Sequence, residues 1–454
     1  MTSSKKMKRK KRHKGIVRRR LFSIALPMIL CHILQTFFNT VDFFWIGQLG
    51  VSELAGVSWA ANILMVFTTI IVGISIGTSA IVSRCVGAKD YEEASRTAWH
   101  ALILGGIVAI ILSVVGYLYI EDALLALGAE ENIATIGSRY LRVTFLGSIV
   151  LLLMFLSTSI LQGAGNMRTP VYATIVATCV NLILDPLLIF GYGVFPCLGV
   201  EGAALATVIA RGLGAMICIY SFFNAESRIH LKLTVMKLNL SIFVRILKVG
   251  IPGSIHMSMR SVMSLAMIVI VGHFGYKAVA AYGIGLNLFN FAMMPGFGLG
   301  AAASILVGQH LGAGRRAMAM QSALIPAFYN IIIMQIFALL FVAFSKPILS
   351  FFTNDFEVIR LGIDYLKITT ISYFCLGAGF VLSRALNGAG DTSSGIIINM
   401  VCLWFIQIPL ALFYAIFWGM GLKGVWWGIL VASTLQAGST CAWFLVQEWK
   451  KSKV

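Results

Sequence analysis

The chain alternates between apolar stretches of about twenty residues and short polar connections, and twenty residues is the length a helix needs to cross hydrocarbon at 1.5 Å per residue. Twelve such stretches occur, at 22–46, 55–82, 98–120, 140–163, 169–192, 200–223, 242–271, 279–308, 321–344, 361–387, 393–418 and 424–447. This pattern predicts an all-α polytopic membrane protein. The longest polar connection, Asn224 to Ser241, separates the sixth span from the seventh. It divides the chain into a tail (1–20), an N-lobe (21–223), a linker (224–241), a C-lobe (242–447) and a second tail (448–454).

Those two lobes are copies. Pro27 matches Pro252, a shift of 225 residues, and the same shift carries Gly47 and Gly50 onto Gly272 and Gly275, Asn62 onto Asn287, and Gly73 onto Gly298. Further on, Gly87 and Ala88 match Gly312 and Ala313, Tyr140 and Thr144 match Tyr365 and Thr369, and LQGAG from Leu161 matches LNGAG from Leu386. Shared apolar composition would pair leucines; it would not pair glycines at fixed spacing. Each copy holds six spans, an even number, so both enter the membrane in the same direction. Parallel repeats of this kind are an arrangement of secondary transporters, with the substrate path between the halves.

Charge then orients the chain. One set of connections carries Arg84, Lys89, Arg96, Arg168, Arg228, Lys232, Lys237, Arg315, Arg316, Lys450, Lys451 and Lys453. The alternate set carries Glu53, Glu121, Asp122, Glu130, Glu131, Glu201, Asp355 and Glu357. Basic residues collect on the cytoplasmic side, so both termini are expected inside, with the chain in the plasma (inner) membrane. Composition agrees: 59% of the 454 residues are hydrophobic and only 11% charged, and the mean hydropathy is +0.90. The net charge of +18 does not indicate nucleic acid, because 11 of the 35 basic residues lie in the first 20 positions. That tail precedes a retained first helix, since the apolar run continues to Trp45 with no small-residue cleavage pattern, and it suits anionic headgroups. The eight cysteines show no metal-ligand spacing and read as small hydrophobes.

Of the 17 acidic residues, only Asp42 and Asp185 look embedded. A carboxylate at mid-membrane costs roughly 2.5 to 3.5 kcal/mol on insertion scales, so such groups usually face a cavity and serve function. Asp42 near the outer end of the first span, Asn181 and Asp185 one turn apart on the fifth, and Thr207 on the sixth all fall about 7 to 17 Å below the outer surface by helical rise. In one pocket, two desolvated carboxylates would take up a proton or Na⁺. The second lobe has no counterpart: Met267 stands opposite Asp42, and Ile408, Pro409 and Leu410 stand near the place of Asp185.

These residues resemble the multidrug and toxic compound extrusion (MATE) family. The resemblance rests on the six-plus-six repeat, Pro27 with Gln35 and Asp42, NLILDP from Asn181 to Pro186, GVEGAALAT from Gly199 to Thr207, and the paired GAG turns. It implies two six-helix bundles in a V, exporting amphipathic, often cationic compounds in exchange for H⁺ or Na⁺. By that match Asp42, Asn181, Asp185 and Thr207 are the cation-coupling site, and the metal ligands if the ion is Na⁺. Pro27 is a hinge, and no cofactor beyond the coupling ion is expected. The cavity candidates are Gln35, by the same match, with Asn39, Met65, His256, Arg260, Phe289 and Met293. Some members carry an acid eight positions after the seventh-helix proline, where this chain has Arg260.

Arg211, four residues after Thr207, reads as structural pairing, with Asp185 a candidate counter-charge, and substrate contact is the alternative. Arg260 and His256 admit either structural pairing or substrate contact, and a basic group in the cavity would favour anionic substrates. The run LNLFNFAMMPGF from Leu286 to Phe297 reads as interhelical packing, with an adaptable ligand wall as the alternative. There is no GxxxxGK(S/T) loop, no HExxH and no GxSxG, so the chain reads as no enzyme. The expected partners are amphipathic small molecules and the bilayer, with the chain monomeric and binding no nucleic acid. The rival reading is a lipid-linked oligosaccharide flippase, supported by Arg260 and Arg211 and opposed by the paired carboxylates.

Overall fold

A computed structural model describes residues 3–126, 128–193, 195–224, 229 and 238–446. Most of the 224–241 linker and the whole 448–454 tail lie outside these residues, as do Arg228, Lys232 and Lys237. The helices of the first repeat are α1 (Ser3–Gly47), α2 (Val51–Ala88), α3 (Tyr91–Ala126), α4 (Glu131–Leu146), α5 (Ser148–Gly163), α6 (Arg168–Phe190) and α7 (Val200–Ser221). The second repeat has α8 (Leu240–Gly272), α9 (Tyr276–Gly312), α10 (Arg316–Ala343), α11 (Ser345–Phe352), α12 (Phe356–Thr369), α13 (Tyr373–Gly388), α14 (Ser393–Asn399), α15 (Ile408–Leu412) and α16 (Leu422–Val446). Turns of π-helix, Met400–Gln407 and Phe413–Phe417, flank α15 within one span. Among the described residues, eleven segments are long and apolar enough to cross a membrane, and α4 with α5, bent by 55°, make a twelfth if taken as one span. The fold is therefore all-α and polytopic, as the hydrophobic pattern requires.

The repeat extends to backbone irregularities. Helices α4 and α5 part at Gly147, and the matching position, Ser372, lies in a turn of 3₁₀-helix between α12 and α13. The two GAG turns both need a left-handed glycine, Gly165 at φ 86° and Gly390 at φ 84°. After α2 the same conformation falls on Lys89 at φ 64°, where the second copy has Gly314 at φ 69°.

Two compact units emerge, and their limits cut through helices: one is Leu30–Ser254, the other Met1–Ile29 with Ile255–Val454. Both cuts fall two residues after a repeat-matched proline, Pro27 in α1 and Pro252 in α8. In the first unit Gly73 of α2 brings its backbone against Gly250 and Ser254 of α8. In the second, Gly298 of α9 does the same against Ala25 and Ile29 of α1. Small residues allow such close approach, and the gain is van der Waals packing. Each unit thus incorporates the leading half of a helix that belongs, by sequence, to the other copy.

The cores are made differently. In Leu30–Ser254, Ala60, Leu112, Leu124, Leu141 and Phe145 form one cluster, and Phe67 meets Phe145 edge-on at 4.6 Å. The other unit centres on an aromatic nest: Tyr282 stacks on Trp426 at 5.8 Å, and Tyr365 meets Trp426 edge-on at 4.9 Å. Three cysteines, Cys85, Cys218 and Cys402, are buried as small hydrophobes; Cys179 and Cys197 are exposed.

Candidate functional site

Three helices of the Leu30–Ser254 unit each present two side chains one turn apart: Phe38 and Asp42 on α1, Asn181 and Asp185 on α6, Thr207 and Arg211 on α7. The i, i+4 spacing stacks each pair on one helix face. Packing α6 tightly against α7, where Gly202 lies on the Leu188 carbonyl, brings the polar positions together. Asp42 is 8% exposed, Asn181 1%, Asp185 0% and Thr207 6%. The Thr207 hydroxyl donates to Asp42 Oδ2 at 3.3 Å and Asn181 Nδ2 donates to Asp185 Oδ1 at 3.0 Å. The two carboxyl groups interact directly, and Asn181 reaches both.

Three buried oxygens in this cluster have no hydrogen-bond partner among the described residues: Asp42 Oδ1, Asn181 Oδ1 and Asp185 Oδ2. Leaving a buried acceptor unpaired costs about 1 to 3 kcal/mol, more for a charged group. Carboxylate, amide and hydroxyl oxygens of this kind are chemically suited to a shared proton or a small hard cation.

Two neighbours finish the wall. Arg211 lies over the Phe38 ring of α1 at 5.1 Å, and the carboxylate whose charge acts on it is Asp42 of the same helix, where sequence reasoning offered Asp185 as a candidate. The reason is that Arg211 sits on the side of α7 that faces α1. Tyr140 of α4 stands beside Asp42, Asp185 and Arg211. Sequence reasoning missed Tyr140 as part of the site, although its match to Tyr365 had marked the position.

The other candidates separate. Gln35, Asn39 and Met65 are exposed on the Leu30–Ser254 unit, and Pro27 lies inside the unbroken α1 of the other. His256, Arg260 and Phe289 lie together in that second unit, with the Arg260 guanidinium 5.8 Å from the Phe289 ring centre. Met293, at 2% exposure, belongs to the apolar core with Leu288 and Ala292. Arg384 on α13, which interacts electrostatically with both His256 and Arg260, was overlooked. Its signal was an arginine inside an apolar span where the first repeat has Ser159.

The family model described as MatE matches residues 27–187 and again 252–413, beginning at Pro27 and at Pro252. The chain belongs to the MATE family. Both matched segments reproduce the repeat seen in the glycines, and one contains Asp42, Asn181 and Asp185. Among MATE relatives, the probable multidrug resistance protein YoeA of Bacillus subtilis is 28% identical over 100% of this chain and 98% of its own. The probable multidrug resistance protein NorM of Thermotoga maritima is 27% identical over 96% and 94%. A crystal structure of a mutant of the Vibrio cholerae MATE transporter VcmN superposes with a TM-score of 0.89 at 25% identity, covering 97% of this chain and 100% of that one. This MATE protein is thus a multi-pass membrane protein of a transporter family.

Proposed function

We propose that the chain is a secondary multidrug exporter in which Asp42, Asn181, Asp185 and Thr207 take up H⁺ or Na⁺ in exchange for an amphipathic compound. The observation that carries this reading is the set of three unpaired buried oxygens on two interacting carboxylates and their amide neighbour. A bound cation satisfies them, and its release recreates an unfavourable charge pair; this is how an ion gradient performs work on a conformational equilibrium. Helix α1 carries Asp42 fifteen residues beyond Pro27, so occupancy of the site acts on a helix that already lacks one backbone hydrogen bond. The second repeat has no acidic equivalent, so coupling resides in the first. The exporter works as a monomer in the plasma membrane, with both termini cytoplasmic and no cofactor. The names of YoeA and NorM support a multidrug cargo.

Uptake of a lipophilic dye into everted vesicles under separately imposed pH and Na⁺ gradients tests the proposal. Asp42→Asn and Asp185→Asn should each abolish gradient-driven uptake at unchanged membrane abundance, and the gradient that drives the wild type names the ion. Full uptake by both variants removes the coupling site. Lipid translocation that ignores both gradients, with no dye movement, replaces the exporter by a flippase.

A further inference from the structure

The unit formed by Met1–Ile29 and Ile255–Val454 holds a second polar cluster, of opposite sign. Arg260 and His256 lie one turn apart on α8, and Arg384 on α13 is close enough for all three to interact electrostatically. Each guanidinium stands against an aromatic ring: Arg260 at 5.8 Å from Phe289 of α9, Arg384 at 5.5 Å from Phe380 of its own helix. Space for these side chains is built into the backbone. A Cβ at Gly300 would come within 2.9 Å of Arg384 Cγ, and one at Gly395 within 3.1 Å of the His256 ring.

Among the described residues, no acid of the unit neutralises them. Its four described carboxylates are engaged elsewhere: Asp355 and Glu357 with Lys277, Asp364 with Lys423, and Asp391 with the Trp443 indole N–H and the Ser394 amide. Among the described residues, neither Arg260 nor Arg384 has a carboxylate within salt-bridge distance. Uncompensated guanidinium inside a membrane-spanning unit is expensive and is found facing water or a ligand, and Arg260 is exposed in this structure. The 225-residue shift places it where the first repeat has the neutral Gln35. The two repeats have thus diverged to opposite charge, acidic in one and basic in the other.

We propose that Arg260, Arg384 and His256 form an organic-anion subsite, which takes the phosphate or carboxylate group of an aromatic amphipath while Phe289 and Phe380 flank its planar body. Two guanidinium forks match the oxygens of such a group in bidentate fashion, and arginine-stacked rings accept a flat apolar partner. This deepens the exporter reading by naming the charged end of its cargo, and rests on that reading only for transport.

Binding and transport are therefore measured separately on the full-length protein, using three probes of one shape: 1-naphthyl phosphate, neutral 1-naphthol and cationic 1-naphthylmethylamine. In equilibrium dialysis with detergent-purified protein, the phosphate should bind at least ~10-fold more tightly than either analogue. Arg260→Gln and Arg384→Gln should each remove ~10-fold of its affinity, a typical effect of deleting one charge-assisted hydrogen-bond pair. The Lys variants at both positions should recover part of the loss, because charge is kept and the fork is not. Monodisperse elution and an unchanged melting temperature establish that the variants are folded. Competition by phosphatidylglycerol but not phosphatidylcholine supports the subsite with a lipid headgroup as its occupant; competition by neither supports it with a soluble anion. Equal affinity for all three probes, or phosphate binding unaffected by both Gln substitutions, overturns the subsite. Failure of proteoliposomes to move any probe under either gradient, with phosphate binding intact, overturns the exporter reading and leaves the subsite standing.

Discussion

Replacing Asp185 by asparagine changes one oxygen for an NH₂ group of nearly the same size. Asp185 is fully buried, its Oδ1 accepts from Asn181 at 3.0 Å and its Oδ2 has no partner. With the carbonyl retained at the Oδ1 position, the new amide donates toward Asp42, supplying one hydrogen bond worth about 0.5 to 1.5 kcal/mol. The wild-type pair with both groups ionised instead carries repulsion of about 4 kcal/mol, for charges ~4 Å apart at an effective dielectric of ~20. The variant is thus a permanent mimic of the loaded site: at least as stable as the wild type, and blind to the coupling ion. Thermal unfolding in detergent, read across a Na⁺ titration and a pH titration, displays the difference. The wild type should gain about 2.7 kcal/mol when its ion is present at 100 times the dissociation constant, whereas Asp185→Asn should gain nothing and export dye at background rate. A variant that keeps both the ion-dependent stabilisation and gradient-driven export would refute the reasoning, since no second carboxylate would then be needed.

Three further outcomes follow from the fold. Lys89→Gly should raise stability by about 0.5 to 1 kcal/mol, measured by thermal unfolding, because a left-handed C-cap at φ 64° strains any side chain with a Cβ. Gly202→Ala should destabilise by about 1 to 3 kcal/mol, the usual penalty of overpacking, since its methyl would fall on the Leu188 carbonyl and push α6 from α7. It should weaken dye export as well, because the same contact sets the register of Asp185 and Thr207. At the start of α12, Asp355 caps the Glu357 and Val358 amides and is bonded to Lys277. That lysine, with the two amides, holds the Asp355 carboxyl below the usual carboxylate range. A depressed folded-state value means that its stabilisation is complete above the ordinary carboxylate range and is lost as pH falls through the depressed value. Hydrogen exchange at Glu357 and Val358 should accelerate on that acidic limb, and Asp355→Ala should show the fast exchange at neutral pH.

Features of the fold that depend on period and repetition were legible in the chain. The 225-residue shift recurs in the paired backbone angles of Gly165 and Gly390, and in the matching breaks at Gly147 and Ser372. The acids stood out because hydrocarbon penalises them. What escaped was anything requiring azimuth around a helix. Spacing placed Arg211 beside Thr207 but did not say which neighbour α7 turns it toward, and it is Asp42 that shares its charge. Met293 looked available within a methionine-rich run, yet its face of α9 points into the core. Arg384 was hidden because a single charge among LSRALNGAG barely lowers the hydropathy of a 27-residue span. Helix limits also differ: α2 runs from Val51 to Ala88 where hydropathy marked 55–82, since hydrophobicity reports contact with lipid and hydrogen bonding continues past it.

Because the limits of the compact units lie at Ile29 and Ser254, well away from the connection that joins the two gene-level copies, severing the chain between α7 and α8 does not yield two self-sufficient halves. The leading fragment would keep Phe22 without the Tyr329 ring that it meets at 5.2 Å, and would lack the Gly250 carbonyl and the Ser254 side chain against which Gly73 rests. Expressed singly, each piece should be degraded; co-expressed, they should reassemble by trading the leading halves of their first helices. Any ancestor that encoded a single copy would have met the same requirement by swapping that half-helix between two identical subunits.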